Sequence, residues 1–388
     1  MRDILDAVRR QWREGGIAAL ATVVHTFDSA PRAAGTAMLV TATGRVVGSV
    51  SGGCVEGAVY ELAQQVMNDG HPVLVRFGIS DDDAFAVGLT CGGIIDIFVE
   101  PLSQAGFTAL DSVAADIDAG RPVGVATVIE HPDSGRLGRH LVVRAEGTTG
   151  DLGCERANQA VGDDTLGLLT AGRNEVLTYG PEGERRGTGM RVFFSSFAPK
   201  PRLLVFGATD FAAALARQGA FIGYRVTVCD ARPVFATPER FPDAHEVVVA
   251  WPHRYLAEQR AAGLLDKRTA MCVLTHDPKF DVPLLELALR GEKLAYVGAM
   301  GSRRTHDDRK RRLQDAGLSD EQLARLHSPI GLDLGARTPE ETAVSIAAEI
   351  IASQWGGSGL PLTTLADRIH APAARALPDR AEVSAARP

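Results

Sequence analysis

A regular alternation of short apolar strands with helical patterns fills the second half of the chain and constrains its fold more than any other feature. Strand-like apolar runs occur at residues 203–206, 225–229, 247–249, 271–275 and 294–297. Helical periodicity follows these runs at residues 210–219, 254–263, 281–290 and 303–316. Strands that alternate with helices at this spacing form βαβ units on a parallel sheet. We therefore predict a Rossmann-like, doubly wound domain.

A last helix is predicted over residues 338–354, because strong start signals precede its apolar pattern. Thr338 occupies the N-cap position and Pro339 the first helical position. Glu341 completes a capping box with the threonine. The linker before the domain is predicted at residues 198–202, which contain two prolines.

The first half of the chain predicts a mixed α+β domain. Strand-like runs occur at residues 17–25, 36–41, 45–50, 73–77, 94–99, 122–130, 140–144 and 191–197, and helices are expected at 54–67 and 105–119. Residues 131–190 are rich in Gly, Asp, Thr and Arg and predict hairpins or long loops. The sequence shows no obvious internal repeat.

The fold class is therefore α/β, with an N-terminal mixed α+β domain followed by the Rossmann-like parallel-sheet domain. A chain of 388 residues exceeds one ordinary hydrophobic core. We predict domains at residues 1–198 and 199–356, and a partly disordered Gly/Pro/Ala-rich tail at 357–388.

Composition excludes several classes of function. The formal net charge of −7 lacks the basic footprint of a nucleic-acid-binding protein. The five cysteines form no C-x-x-C pair, so neither a disulfide framework nor a structural zinc site is expected. No apolar run approaches the roughly 20 residues of a membrane helix, and the charged start differs from a signal peptide. We expect a cytoplasmic protein.

The turn after the first strand of the second domain resembles an incomplete dinucleotide fingerprint. Gly207 fills the first glycine position, whereas Thr209 and Ala212 occupy the second and third. Asp230 ends the next strand, where a ribose-binding acid is usual. A Cβ at the second position hinders close approach of a pyrophosphate, so NAD(P) binding and a doubly wound fold without a dinucleotide are both open.

Further polar residues follow strands at the edge where open α/β sheets bind ligands. A glycine-rich turn at residues 298–303 runs into a helix, which suits an anionic group such as phosphate. The candidates for contact with that group are His276, Asp277, Gly301 and Arg303. Arg309 and Lys310, further along the helix, are interpreted as part of a solvated, salt-bridged face.

In the first domain, Cys54 lies between a glycine turn and the start of a helix. Glycine N–H groups and the helix dipole favour bound anions and lower the pKa of a thiol. Cys54 is therefore a candidate nucleophile or soft-metal ligand, and Cys91, followed by Gly92 and Gly93, repeats the arrangement. Both thiols are candidate contacts to molybdenum or to a sulfur-bearing cofactor, and the alternative is a small buried residue in a tight turn.

Arg32 and Glu56, which lie near Cys54 in the sequence, each allow two interpretations. Arg32, in a turn with Gly35, presents a cation to phosphate or forms an ordinary surface turn. Glu56 caps its own helix or acts as an acid/base beside the thiol. Cys154, Cys229 and Cys272 are interpreted as core residues.

Several motifs together resemble the XdhC/CoxI family, the xanthine dehydrogenase accessory proteins, over residues from about 15 to 355. They are SAPR (29–32), SGGCVEG (51–57), CGG (91–93), THD (275–277), YVGAMGSRR (296–304) and PIGLDLGARTPEETAVSIAAEII (329–351). The SGGCVE and PIGLDLGA blocks are the specific ones. Relatives usually carry a G-x-G turn where this chain has Gly207-Ala-Thr209.

The resemblance implies a homodimeric chaperone that binds the molybdenum cofactor (molybdopterin). It implies sulfuration by a cysteine desulfurase and delivery to a molybdenum hydroxylase such as xanthine dehydrogenase. Carried over by position, Cys54 and Cys91 contact the cofactor, and Ser51, Gly52, Gly53 and Arg32 shape the pocket. The alternative functions are an NAD(P)-dependent oxidoreductase and a nucleotide-binding regulator.

Overall fold

The chain divides into two compact units, which are described separately. The structure is a computed structural model that describes residues 1–27, 32–78 and 93–365. The first unit comprises Met1–Pro199 and the second begins at Lys200. Among the described residues, no helix combines the length and the apolar character needed to cross a membrane.

The first unit begins with a five-stranded antiparallel sheet and two helices. Its elements are α1 (Leu5–Glu14), β1 (Ala18–Phe27), β2 (Ala37–Val40), β3 (Val46–Gly48), α2 (Glu56–Asp69), β4 (Val73–Phe77) and β5 (Ile94–Leu102). The strand order in this sheet is β3-β2-β1-β5-β4. All neighbouring strands run antiparallel.

A second set of elements follows in the same unit. They are α3 (Leu110–Asp118), β6 (Val123–Glu130), β7 (His140–Arg144), β8 (Gly147–Gly150), α4 (Glu155–Ala171), β9 (Glu175–Tyr179) and β10 (Met190–Phe197). The strand order is β8-β7-β6-β10-β9, again antiparallel throughout.

These two sets have the same order of elements and the same strand order, so the first unit is a tandem repeat. We call residues 5–102 the first repeat and residues 110–197 the second repeat. The expectation from the sequence that the chain has no internal repeat is therefore wrong, because the structure shows one. The prediction of loops over 131–190 is also wrong in part, because α4 is a helix of 17 residues.

The helix α4 escaped the sequence analysis for a physical reason. Two internal glycines, Gly162 and Gly167, and the adjacent Asp163 and Asp164 weaken its helical signal. Its buried face nevertheless has helical spacing and covers the second sheet through small and apolar side chains. They are Ala157, Ala160, Val161, Thr165 and Leu169.

Each sheet is covered by one helix and packs its other face on the second sheet. In β5, Ile95, Ile97 and Val99 contact the cluster under α2, while the alternating Phe98 points to the opposite face. There Phe98 packs with Phe193 of the second repeat. Full burial of such a side chain contributes about 1.5–3 kcal/mol. The result is an α/β/β/α arrangement within this unit.

The second unit is the predicted doubly wound domain. Its strands are β11 (Arg202–Phe206), β12 (Arg225–Asp230), β13 (Glu246–Val249), β14 (Ala270–Val273), β15 (Tyr296–Ala299) and β16 (Leu326–His327). The strands are parallel, in the order β13-β12-β11-β14-β15-β16. Strand order reverses between β11 and β14, which is the Rossmann arrangement.

Helices cover both faces of this sheet. They are α5 (Asp210–Phe221), α6 (Pro252–Ala261), α7 (Pro278–Arg290), α8 (Arg303–Asp315), α9 (Asp320–Leu323) and α10 (Pro339–Trp355). One apolar cluster includes α5 and α10, and the other includes α6, α7 and α8. The predicted capping box is confirmed: Glu341 N donates to Thr338 Oγ1 at 3.2 Å, and Thr338 N donates to Glu341 Oε2 at 3.1 Å. The short α9 and β16 were not predicted.

Candidate functional site

Cys54 lies in the turn between β3 and α2, where the sequence predicts it. Gly52 and Gly53 have φ of +89° and +121°, a backbone region that favours glycine. A Cβ built on either glycine meets no atom of the described residues within 4 Å. These glycines are therefore needed for the course of the backbone, and the described part of the chain leaves space over them.

The carboxylate of Glu56 holds this turn together. It accepts hydrogen bonds from the hydroxyl groups of Ser49 and Ser51, both at 2.6 Å. It also accepts from the N–H groups of Ser51 at 2.9 Å, Gly52 at 3.0 Å and Gly53 at 2.8 Å. The glycine N–H groups that were expected to receive a ligand anion are thus directed at a carboxylate of the protein itself.

These bonds also fix the ionisation of Glu56. Burial raises the pKa of its carboxyl, but hydrogen bonds from Ser49 and Ser51 outweigh that effect and bring the pKa well below its ordinary value. Glu56 is therefore ionised at neutral pH and has no proton to give. The geometry favours a structural role for Glu56 over an acid/base role. The N-cap of α2 is Val55, so Glu56 stabilises the turn from the first position of the helix.

The thiol of Cys54 is neither sealed in the core nor fully exposed. The residue is half-buried and packs at the rim of the apolar cluster beneath α2. Its N–H donates to Ser51 Oγ at 3.0 Å. Arg32 is exposed and makes no hydrogen bond or ion pair within the described part of the chain. Cys91 lies outside the described residues, as do Ser29, Ala30 and Pro31.

A polar cluster that the sequence analysis missed lies at the same end of the first sheet. Asp96 is buried on β5 and pairs in register with His25 and Arg76. The guanidinium of Arg76 donates to both carboxylate oxygens, at 2.6 and 2.9 Å. Nδ1 of His25 is buried without a hydrogen-bond partner among the described residues, and burial lowers the pKa of this histidine. Only strand register shows that these residues are neighbours.

In the second unit, Gly207 and Thr209 have structural roles that explain the incomplete fingerprint. Gly207 has a φ of +111°, and a Cβ there would lie 2.7 Å from Thr275 Cγ2. Thr209 is the N-cap of α5, and its Oγ1 accepts from Ala212 N at 3.2 Å. The threonine at the second position, which was predicted to hinder a pyrophosphate, therefore stabilises the start of α5.

Asp230 is at the end of β12, as expected for a ribose-binding acid, but its carboxylate is already engaged. Ala208 N donates to Oδ2 at 2.7 Å, and the Arg232 guanidinium donates to both oxygens at 2.8 and 2.9 Å. Burial raises the pKa of Asp230, but the bonds from Arg232 and Ala208 bring it below its ordinary value. A ribose would have to displace Arg232 to reach this carboxylate.

The remaining candidates lie after β14 and β15, as predicted. His276 is exposed, and the half-buried Asp277 caps α7 by accepting from Lys279 N at 3.1 Å. Gly301 precedes the N-cap Ser302, and Arg303 is exposed at the first position of α8. They therefore follow neighbouring parallel strands at the carboxyl edge of the sheet.

The interpretation of Arg309 as part of a solvated helix face is wrong. Its side chain is buried and donates to Asp281 Oδ2 and to Met300 O, both at 2.9 Å. It also donates to Ser328 Oγ at 3.2 Å. Burial is the dominant effect on Asp281 and raises its pKa. The pair joins α7, α8 and the turn after β15, and its partners are too far apart in sequence for periodicity to find them.

A cleft of about 1170 Å³ along the β16 edge was not anticipated from the sequence. Lys293 and Lys310 are among its cationic lining residues, and Tyr296 and His327 form part of its wall. Glu349 accepts from Tyr296 Oη at 2.5 Å and lies 3.0 Å from His327 Nδ1. Burial raises the pKa of Glu349, but these two bonds outweigh it and lower the pKa. None of the predicted site residues lines this cleft.

The other cysteines divide into two classes. Cys229 and Cys272 are buried in strands, which confirms their core interpretation, and burial raises the pKa of Cys229 to about 12. Cys154 is instead half-buried at the N-cap of α4. Within residues 1–27, 32–78 and 93–365, no three or more His, Cys, Asp and Glu side chains form a group that could hold a metal ion.

Comparison with known proteins places the chain in a family. The family model described as "XdhC and CoxI family" matches residues 11–78 and 116–180, and that of the "XdhC Rossmann domain" matches residues 203–350. A Bacillus subtilis protein, named as a probable subunit of xanthine dehydrogenase, is 30% identical over 351 residues, which cover 90% of this chain and 96% of that protein. The chain belongs to the XdhC and CoxI family.

A second relative and a solved structure agree with the assignment. The Escherichia coli protein named "Molybdenum cofactor insertion chaperone PaoD" is 27% identical over 90% of this chain and 87% of its own length. A crystal structure from Bacillus halodurans, described as that of a xanthine dehydrogenase, has a TM-score of 0.65 and 26% identity over 90% of this chain and 95% of that one. The two ranges matched by the XdhC and CoxI model lie one in each repeat.

Proposed function

We propose that this protein is a molybdenum cofactor-binding chaperone that inserts the cofactor into a xanthine dehydrogenase-type molybdenum hydroxylase. The names of the Escherichia coli and Bacillus subtilis relatives support this role. The proposal includes sulfuration of the cofactor with a cysteine desulfurase as sulfur donor, a homodimer, and action in the cytoplasm.

The observation that carries the proposal is the half-buried Cys54 just before the start of α2, beside two glycines at which a Cβ would meet no atom of the described residues within 4 Å. The cofactor would supply a soft molybdenum–sulfur centre and an anionic phosphate. A cysteine sulfur suits the soft centre. The glycine N–H groups do not suit the phosphate, because Glu56 already accepts their hydrogen bonds. The phosphate therefore needs a cation, and Arg32 is an exposed arginine in this part of the sequence.

The direct test compares cofactor retention in Cys54→Ser with the matched control Cys154→Ser. Each full-length variant is incubated anaerobically with molybdenum cofactor and passed through gel filtration, and molybdenum is measured in the protein fraction. We expect Cys54→Ser to lose most of the bound molybdenum and Cys154→Ser to retain it. Serine is a good N-cap, so the control keeps the start of α4. Equal retention in both variants contradicts a role for Cys54.

Insertion and sulfuration are tested in a second experiment. Loaded protein is mixed with an apo molybdenum hydroxylase, with and without a cysteine desulfurase and its substrate. We expect more active hydroxylase than with free cofactor alone, and a further gain when the desulfurase is present. Sedimentation of the same preparation tests the homodimer. Activation no greater than that by free cofactor contradicts the chaperone function.

The alternative of an NAD(P)-dependent oxidoreductase has less support in the second unit. The carboxylate of Asp230 is paired with Arg232, and Thr209 caps α5. Calorimetry with NAD(P)H on the parent and on Thr209→Gly tests it, because removal of the Cβ should strengthen binding if a pyrophosphate site exists. Absence of binding in both proteins excludes this function.

A further inference from the structure

The cleft along the β16 edge is lined by residues of the second unit and has an excess of positive charge. Its Lys and Arg side chains are those of Lys267, Lys293, Lys310 and Arg325. Asp320 is the one Asp or Glu among its described lining residues. Arg325 is already engaged with backbone carbonyl groups, because its Nη1 donates to Leu289 O at 2.9 Å. Lys293 and Lys310 are exposed and make no hydrogen bond or ion pair within the described part of the chain, so both can meet an anion.

Hydrogen bonds place the segments that carry these two lysines at the two ends of β16. Arg325, which precedes the strand, donates to the carbonyl oxygen of the residue before Lys293 at 3.3 Å. Arg309 of α8 donates to the hydroxyl group of Ser328, which follows the strand, at 3.2 Å, and Lys310 is the next residue of that helix. A strand of two residues is about 7 Å long, so two lysine side chains can reach one anion between them.

His327, the last residue of β16, has a fixed orientation in the wall of the same cleft. Its Nδ1 lies 3.0 Å from Glu349 Oε1, and Tyr296 Oη donates to the other oxygen of this carboxylate at 2.5 Å. Burial raises the pKa of Glu349, but the bonds from His327 and Tyr296 outweigh it and lower the pKa, so the carboxylate is ionised at neutral pH. In the neutral imidazole, Nδ1 therefore carries the proton and Nε2 is an acceptor.

The acceptor nitrogen of His327 is accessible from the cleft. Nε2 is on the side of the ring away from the bond to Glu349, and the side chain is 19% exposed. Nε2 makes no hydrogen bond to any described residue, and it does not belong to the described polar atoms that are buried without a partner. Solvent therefore reaches it. A ligand in the cleft meets two cations and one acceptor whose tautomer is set by a buried carboxylate.

We propose that this cleft binds a phosphorylated sugar, free or as part of a nucleotide. Its phosphate lies on Lys293 and Lys310, and one of its hydroxyl groups donates to His327 Nε2. Ammonium groups bind phosphate as point charges, and an uncharged acceptor takes a hydroxyl donor. The volume of about 1170 Å³ exceeds that of most small-molecule sites, about 300–1,000 Å³, and admits either ligand. The proposal concerns the second unit and does not depend on the function proposed for Cys54.

The first experiment tests the two lysines by calorimetry on the full chain. The ligands are ribose 5-phosphate, AMP and methyl phosphate, which has a phosphate but no hydroxyl group. We expect ribose 5-phosphate to bind about fivefold more tightly than methyl phosphate, because it makes one more hydrogen bond. Lys293→Gln and Lys310→Gln should each weaken both ligands about tenfold. The matched control is Lys200→Gln, an exposed lysine of the same unit outside the cleft, which should change neither affinity by more than about twofold.

The second experiment tests His327 with His327→Asn. The shorter amide can still donate to Glu349, but it leaves no acceptor at the position of Nε2. We expect the affinity for ribose 5-phosphate to fall to that for methyl phosphate, while the affinity for methyl phosphate stays within about twofold. A merely structural role of His327 would weaken both ligands together, and that result overturns the hydroxyl contact. Thermal unfolding of the variant shows whether the fold is retained.

The ligands also distinguish the two sources of a sugar phosphate. AMP that binds at least tenfold more tightly than ribose 5-phosphate assigns the cleft to a nucleotide. Equal affinities assign it to a free sugar phosphate, since the base then adds nothing. Absence of binding of both ligands to the parent overturns the proposal. Binding that neither lysine substitution weakens overturns it as well, because the ligand then lies elsewhere on the chain.

Discussion

The two repeats of the first unit build the same turn before a helix with different residues. In the first repeat, Glu56 reaches back from inside α2 and collects the N–H groups of the turn. In the second, Asn158 Oδ1 accepts from Leu152 N at 2.8 Å, and Asp151 Oδ1 accepts from Gly153 N at 2.9 Å. One fold has thus stabilised one turn in two independent ways.

The two turns also differ in how the helix that follows is capped. The sulfur of Cys154 accepts from Ala157 N at 3.4 Å and caps α4, and Arg136 is bound to Glu182. In the first repeat the N-cap of α2 is Val55, which makes no side-chain capping bond, and Glu56 stabilises the turn. The second repeat uses its thiol and arginine for structure. In the first repeat the carboxylate of Glu56 stabilises the turn instead.

Glu56→Ala is the substitution with the largest expected effect on the stability of the first repeat. The substitution removes the acceptor for two hydroxyl groups and several backbone N–H groups at once. We expect it to destabilise the first repeat by about 3 kcal/mol, because hydrogen bonds to a charged group are the strong ones. Denaturant unfolding combined with hydrogen exchange of α2 measures the loss. The matched control is Arg156→Ala, whose ion pair with Glu184 is exposed and should change stability by about 0.5 kcal/mol or less. Similar losses in both variants refute the asymmetry.

Acid should affect the first repeat through the same carboxylate. The folded-state pKa of Glu56 is lowered, so its stabilisation is complete above the ordinary glutamate pKa of about 4.3 and is lost as the pH falls below it. We expect the α2 amides to exchange faster as the pH falls below about 4, after correction for the intrinsic exchange rate. The effect should be smaller than that of Glu56→Ala and absent from Glu56→Gln. An unchanged acid response in Glu56→Gln assigns the sensitivity to another group.

Replacing the turn glycines should reduce stability to different extents in the two repeats, by less than Glu56→Ala does. Gly53→Ala places a Cβ at positive φ in space left open by the described residues, at a cost of about 1–2 kcal/mol. Gly153→Ala meets the same backbone penalty and must also displace Arg136 from the turn. We expect Gly153→Ala to be the less stable variant by about 1 kcal/mol, the upper value of an exposed ion pair. Thermal unfolding of both variants shows which of them is less stable. If Gly53→Ala is the less stable variant, Arg136 does not obstruct a side chain at position 153.

Much of the second unit was predictable, because its signals are local. Strand–helix alternation, Pro339 and the capping box of Thr338 each depend on residues a few positions apart. A structural role of Glu56 was one of the two sequence interpretations, but its partners were not predictable, since they depend on positive φ at glycines that turn the chain back over the helix start. The buried partner of Arg309 is Asp281, which belongs to another helix. Such contacts leave no periodic trace in the sequence.

The tandem repeat was missed in the sequence analysis for a related reason. Outside the Gly-Cys turns at residues 53–54 and 153–154, the two repeats share a hydrophobic pattern more than identical residues. Gly162 and Gly167 within α4 further hide the helix that corresponds to α2. Strand register is set by which face of each strand is buried, so it persists when individual side chains change. The likeness of the repeats is therefore plain in topology and faint in sequence.

The smallest expected effect concerns the ion pair between Arg136 and Glu182 in the second repeat, whose arginine lies over Gly153. Glu182→Gln removes the charge that holds Arg136, and the pair is partly exposed, so stability should fall by about 1 kcal/mol or less. Released from the carboxylate, Arg136 should leave Gly153 and Cys154 more accessible. We expect Cys154 alkylation to become about two- to threefold faster while that of Cys54 stays constant, as measured by peptide mass spectrometry. An unchanged Cys154 rate means that Pro181 O and the packing over Gly153 hold Arg136 in place without the ion pair.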